Sequence, residues 1–225
     1  IDEHLFPVAS ILDPRYTFSV SKKQTAAGAA DAINHVIEQY FCTTHSDLTD
    51  GMCESVIRSL IKNAKIALEH PDDERARGEF MVDCSLACNG ILSVGNSPSG
   101  WPCHGMEHAL SAYYDITHGE GLAILTPRWM HHILSPETTE RFVSFGTHIF
   151  GIDAALPAAD IAEQTIKATY DLFTSFGMPM HLRDVGIDET RLAEMAHHIA
   201  ENEGLDNAWA PLSEADILSI LRASL

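Results

Sequence analysis

Basic residues are scarce. Lys and Arg number 14 against 32 Asp and Glu in 225 residues, a formal charge of −18. Such a surface repels both the phosphate backbone of nucleic acid and an anionic membrane face, so neither is an expected partner. No apolar run approaches the roughly 20 residues needed to cross a bilayer. The opening IDEHLFPVAS lacks a basic stretch followed by an apolar one, and no targeting segment is read there. The five cysteines, Cys42, Cys53, Cys84, Cys88 and Cys103, are odd in number and irregularly spaced. The chain is not so small as to demand a disulfide framework, and a reduced, cytoplasmic chain is expected. Strand-like alternation is almost absent, as are internal repeats, low-complexity tracts and charged tails.

What is present is apolar content, 45% of residues, ample for the core of one large domain. Residues 1–20 read as an extended lead-in with a turn at Asp13-Pro14. Ser21 with Gln24 three residues on has the pattern of a helix start, and a helix to about residue 41 follows. Further helical patterns cover 52–69, 73–94, 103–114, 121–134, 137–150, 158–176, 189–203 and 214–223. Pro71, Pro98, Pro136, Pro157, Pro179 and Pro211 mark their boundaries, because proline lacks an N–H and fixes φ. Ala162, Ile166, Tyr170 and Phe173 repeat at the spacing of one buried helical face. The fold class expected is one all-α helical bundle over residues 21–225.

Two constellations can do chemistry. In D31-A-I-N-H35, four residues turn a helix by about 400°, placing the Asp31 carboxylate and the His35 imidazole on the same face. In H104-G-M-E-H108 the same spacing pairs two imidazoles, and His118 follows ten residues later beside Gly119 and Gly121, which free the backbone to turn. A helix of about ten residues after His104 carries the chain some 15 Å away, so His118 can join a common site only if the chain doubles back. The spacing nominates all three histidines and does not choose among them. HGMEH also fits the H-x-x-E-H pattern of a zinc peptidase, in which His104 and His108 bind zinc and Glu107 activates water. A metal-free helical interaction module is the third alternative. The adjacent pairs His131-His132 and His197-His198 point in different directions on a helix and are expected at the surface.

Taken together, DAINHVIEQYF, WPCHGMEHALSAYYDITHGEG and the following LAILTPRWM resemble the iron-containing, group III alcohol dehydrogenase family, in particular its butanol dehydrogenase and aldehyde reductase branch. ILDPRYTFSVS is similar to the stretch joining that family's two domains, and SFGMPMHLRDVGID and PLSEADILSIL to its C-terminal part. The resemblance implies the helical C-terminal half of a dehydroquinate synthase-like fold. It also implies a metal set of Asp31, His35, His104 and His118, and a further active-site histidine, His108, beside the ion. Fe(II) is the ion implied, with Zn(II) and other divalent ions accommodated. Trp101 falls where the aldehyde reductase branch carries Trp, a wall of the substrate pocket. Asp115 and Glu120 are expected to orient ligand imidazoles, and Cys103 to be a packing residue.

The family's first domain binds NAD(P), and no G-x-G-x-x-G or GGGS loop occurs in these 225 residues. The chain also begins with Ile rather than Met. The resemblance therefore implies that the nicotinamide-binding domain lies outside the stretch, and that the 225 residues alone bind the ion and turn over little substrate. A small alcohol or aldehyde and a second copy of the chain, as a homodimer, are the implied partners.

Overall fold

Ser21 caps the first helix as its spacing to Gln24 implies, its Oγ accepting the Gln24 amide at 3.2 Å. That helix, α1, spans Lys22–Tyr40. The computed structural model describes residues 3–5, 7–96 and 100–225, so Pro98 and Ile1 lie outside the described residues. Eight more α-helices follow: α2 (Asp47–Glu69), α3 (Glu74–Cys88), α4 (Pro102–Tyr114), α5 (His118–Ile133), α6 (Thr139–Phe145), α7 (Ala158–Ser175), α8 (Leu192–Asn202) and α9 (Glu214–Ala223). Short 3-10 and π turns link them, and no strand occurs among the described residues. The all-α bundle is what the helical patterning predicts.

Helix α1 is the axis of the bundle. Its small residues Ala26, Ala27, Ala29, Ala30 and Ala32 are all buried and let α2, α3, α4 and α5 pack around it. Within residues 25–42 only Gly28, Asp31 and His35 are not buried. They form one stripe at spacings of three and four, and that stripe is where the bundle opens. Phe41 at the far end of α1 meets Trp129, Phe142 and Phe145 with ring centroids 4.9–5.9 Å apart, closing the core there.

Several boundaries differ from the sequence reading. Helix α2 begins at Asp47 rather than at 52, and the run 73–94 breaks after Cys88, where Gly90 adopts φ 84°. The run 137–150 is α6 continued by a π turn over Gly146–Phe150. On α7, Ala162, Ile166 and Phe173 are buried as expected; Tyr170 is half-buried beneath the Arg128 guanidinium, 5.1 Å from its ring centroid. His131, His197 and His198 are exposed and His132 is half-buried against Asp216.

The largest local correction concerns the turn before His118. The chain does double back, but at Asp115, which ends α4 with φ 53°, and not at the glycines. His118 is the first residue of α5, so Gly119 and Gly121 lie inside its first turn. Their role is close approach: a Cβ on Gly119 would stand 2.1 Å from the Ala27 carbonyl oxygen, and one on Gly121 2.6 Å from the Glu107 Cγ. Trp101, the other non-glycine residue of positive φ among those described, caps the opposite end of α4 at φ 51°. Backbone of this kind costs on the order of 1–3 kcal/mol and persists where its surroundings enforce it. Here it frames the helix that carries His104, Glu107 and His108.

Candidate metal centre

Three helices contribute to the open stripe of α1: α1 itself with Asp31 and His35, α4 with His104, and the first residue of α5, His118. One atom is common to the group. Asp31 Oδ1 lies 3.1 Å from His35 Nδ1, 3.7 Å from His104 Nε2 and 3.6 Å from His118 Nε2. Asp31, His35 and His104 each offer a ligand atom within 4.8 Å of the other two. His118 stands at the rim of this group, its imidazole centroid 5.3 Å from that of His104 and its Nε2 3.6 Å from Asp31 Oδ1. Donor atoms held at roughly 2.0–2.2 Å around one ion stand about 3–3.5 Å apart, close to the separations here.

Two buried atoms test whether a cation fits. Asp31 Oδ1 and His104 Nε2 have no hydrogen-bond partner among the described residues, although both are shielded from water. Orphaned buried polar atoms are costly, and two lone-pair donors facing each other are satisfied by a shared positive charge. One carboxylate with three imidazoles is a donor set for a first-row divalent ion. The residues present fit the group.

Charge follows the same geometry. Burial alone would raise the Asp31 carboxyl, but the His104 and His35 imidazoles beside it and the positive charge of His35 and His118 hold it well below the usual carboxylate range. Burial would lower His35; contacts with Asp31 and the Cys88 thiol override this and push it up to about 10. His104 is also raised, burial being outweighed by the nearby Asp31 and Glu38 carboxylates. His35 raised this far holds its proton at neutral pH, and an ion bound there would have to displace it. Apparent affinity for a divalent ion is expected to rise about tenfold per pH unit for each proton released between pH 6 and 8. Chelator competition at several pH values checks this, and a pH-independent affinity would contradict it. In the metal-free protein the His35 proton stabilises the fold fully below its free value of 6.5, and that contribution is lost as pH rises toward about 10.

Trp101 stands at the edge of the cluster, its ring centroid 5.5 Å from His35 and 5.2 Å from His104. His108 lies outside it. Its side chain is 57% exposed, its ring stacks on His118 at 5.9 Å and 20°, and its Nδ1 is 3.6 Å from Glu203. The peptidase alternative fails on this geometry: Glu107 is fully buried and its oxygens are occupied by Ser111 and His118, leaving no place for an activated water.

The outer carboxylates also differ from expectation. Asp115 is exposed at the turn, and Glu120 pairs with Lys23 at 3.0 Å. Glu38 and Glu107 instead contact the Nδ1 atoms of His104 and His118. A sequence signal existed for both, since each lies three residues after a candidate ligand on the same helix, His35 and His104. Cys103 is buried, and its thiol is pushed well up by that burial, as a packing residue's would be.

The fold and this cluster define a class: a helical domain built around one carboxylate and three imidazoles of metal-ligand type. The chain belongs to the iron-containing alcohol dehydrogenase family, residues 25–225 matching the model described as "Fe-containing alcohol dehydrogenase family, C-terminal". It is 47% identical over 220 residues to NADH-dependent butanol dehydrogenase A of Clostridium acetobutylicum, covering 97% of this chain and 56% of that protein. It is 28% identical over 200 residues to the NADPH-dependent aldehyde reductase YqhD of Escherichia coli, covering 88% and 51%. The crystal structure of NADH-dependent butanol dehydrogenase A from Thermotoga maritima superimposes with a TM-score of 0.92 at 32% identity, over 99% of this chain and 57% of that one. The chain spans little more than half the length of these relatives.

Proposed function

We propose that this chain is the metal-binding domain of an NAD(P)-linked alcohol dehydrogenase or aldehyde reductase, with Asp31, His35, His104 and His118 holding one divalent ion. The observation that carries the reading is the convergence of three imidazole nitrogens on Asp31 Oδ1 within 3.7 Å. Relatives named as NADH-dependent butanol dehydrogenase and NADPH-dependent aldehyde reductase support the reaction class and the nicotinamide cofactor. Fe(II) is the ion we assign, and the donor set accommodates Zn(II) as well. When bound, such an ion supplies Lewis-acid polarisation of an alcohol or carbonyl oxygen while hydride is exchanged with the nicotinamide.

The chain's own residues do the rest. The Trp101 ring walls the cluster on the side of His35 and His104 and helps exclude water from the reacting carbon. His108, at the solvent rim one helical turn from His104, relays the alcohol proton outward, a task suited to an imidazole near neutral pH. The nicotinamide is held by residues outside these 225. No helix of the described residues is long and apolar enough to cross a membrane. The cytoplasm is the compartment we assign, in keeping with five free cysteines.

Metal analysis of the dialysed chain tests the reading: about one divalent ion per chain is expected, and a chain that retains none opposes it. In the full-length enzyme His108→Ala is expected to keep its metal and alter the pH–rate profile. An unchanged profile would remove His108 from the relay.

A further inference from the structure

Glu38 and Glu107 are both 0% exposed, and among the described residues neither pairs with a Lys or Arg. A carboxylate taken out of water persists only where its charge is met by well-placed donors. Each has two. Glu38 accepts the Cys103 backbone N–H on Oε1 at 2.6 Å and His104 Nδ1 on Oε2. Glu107 accepts the Ser111 hydroxyl on Oε1 and His118 Nδ1 on Oε2. Their partners cross between helices, His104 of α4 to Glu38 of α1 and His118 of α5 to Glu107 of α4. Gly121 belongs to the same arrangement, because a Cβ there would stand 2.6 Å from Glu107 Cγ and 2.8 Å from its Oε1. Only glycine leaves room for Glu107 to reach His118.

A carboxylate is an acceptor, so the imidazole nitrogen it faces must carry the hydrogen. That leaves a lone pair on each Nε2, the atoms facing Asp31 Oδ1 at 3.7 and 3.6 Å. We propose that Glu38 and Glu107 are positioning residues that fix the Nδ1–H tautomer of His104 and His118, aim both Nε2 lone pairs at one point and strengthen them as metal donors. The inference rests on the metal reading above. It is asymmetric across the site, since His35 turns its Nδ1 to Asp31 itself and to the Asp31 carbonyl at 3.0 Å.

The test uses the 225-residue chain loaded with Co(II). Two exchangeable ring N–H signals, shifted by the ion and protected from solvent, are expected in its proton NMR spectrum. Glu38→Gln should remove or move one and Glu107→Gln the other, each with a 10–100-fold loss of Co(II) affinity and an altered visible cobalt spectrum. Variants that keep both signals and bind Co(II) within about twofold of the parent would overturn the inference while leaving the metal reading intact. An unsubstituted chain that takes up no Co(II) would fail the metal reading, and this inference with it. If a variant does not fold, the parent spectrum decides: protected ring N–H signals support the assignment, and their absence overturns it.

Discussion

Asp31→Ala is expected to leave the chain without stoichiometric metal. The affinity should fall by more than the roughly 10–100-fold that loss of an outer-sphere partner costs. Asp31 Oδ1 lies within 3.7 Å of a nitrogen of each of the three imidazoles, and it is the only anionic donor in the proposed set. Removing it deletes both the charge that attracts the cation and the point on which the rings converge. The fold itself should persist, because the side chain is 32% exposed at the mouth of the bundle and fills no part of the core. Metal content after dialysis against a weak chelator, with circular dichroism as the control for folding, checks both halves. A folded Asp31→Ala chain with one tightly held ion would place the site elsewhere.

Gly119→Ala is expected to destabilise the protein by about 3 kcal/mol, the upper end of what overpacking costs, or by more. The added methyl would lie 2.1 Å from the Ala27 carbonyl oxygen and 2.7 Å from its carbon, a clash of backbone with backbone that no rotamer change relieves. Helix α5 must then lift off α1 at its first turn, taking His118 with it, so metal affinity should fall alongside stability. Gly28, also on α1, gives the contrast. A Cβ there meets nothing within 4 Å, and Gly28→Ala should stabilise by roughly 0.5–1 kcal/mol through helix propensity. Denaturant midpoints of the two variants should move in opposite directions, and a Gly119→Ala protein as stable as the parent would remove the close-approach argument.

Much of the helical layout was legible in the sequence because it rests on local rules. Ser21 with Gln24 marks the start of α1, proline and glycine punctuate the chain, and the i, i+4 spacing puts Asp31 above His35. Where two effects compete locally, composition points the wrong way. Gly119 and Gly121 have the composition of a turn, yet they sit in the first turn of α5 at helical φ, and the reversal falls on Asp115, one of the few non-glycine types that left-handed backbone favours. Asp115 and Glu120 neighbour the ligands in sequence, but one faces solvent and the other Lys23.

By itself the sequence determined the helical class, the acidic surface and the supply of ligand-type side chains at one-turn spacings, since each depends on a residue and its near neighbours. Only the tertiary structure decided which of them meet. Glu38 is 66 positions from His104, and His118 is 87 from Asp31. Whether such pairs touch depends on how closely α1, α4 and α5 approach. That distance is set by alanines and glycines whose missing atoms leave no periodic mark in the chain.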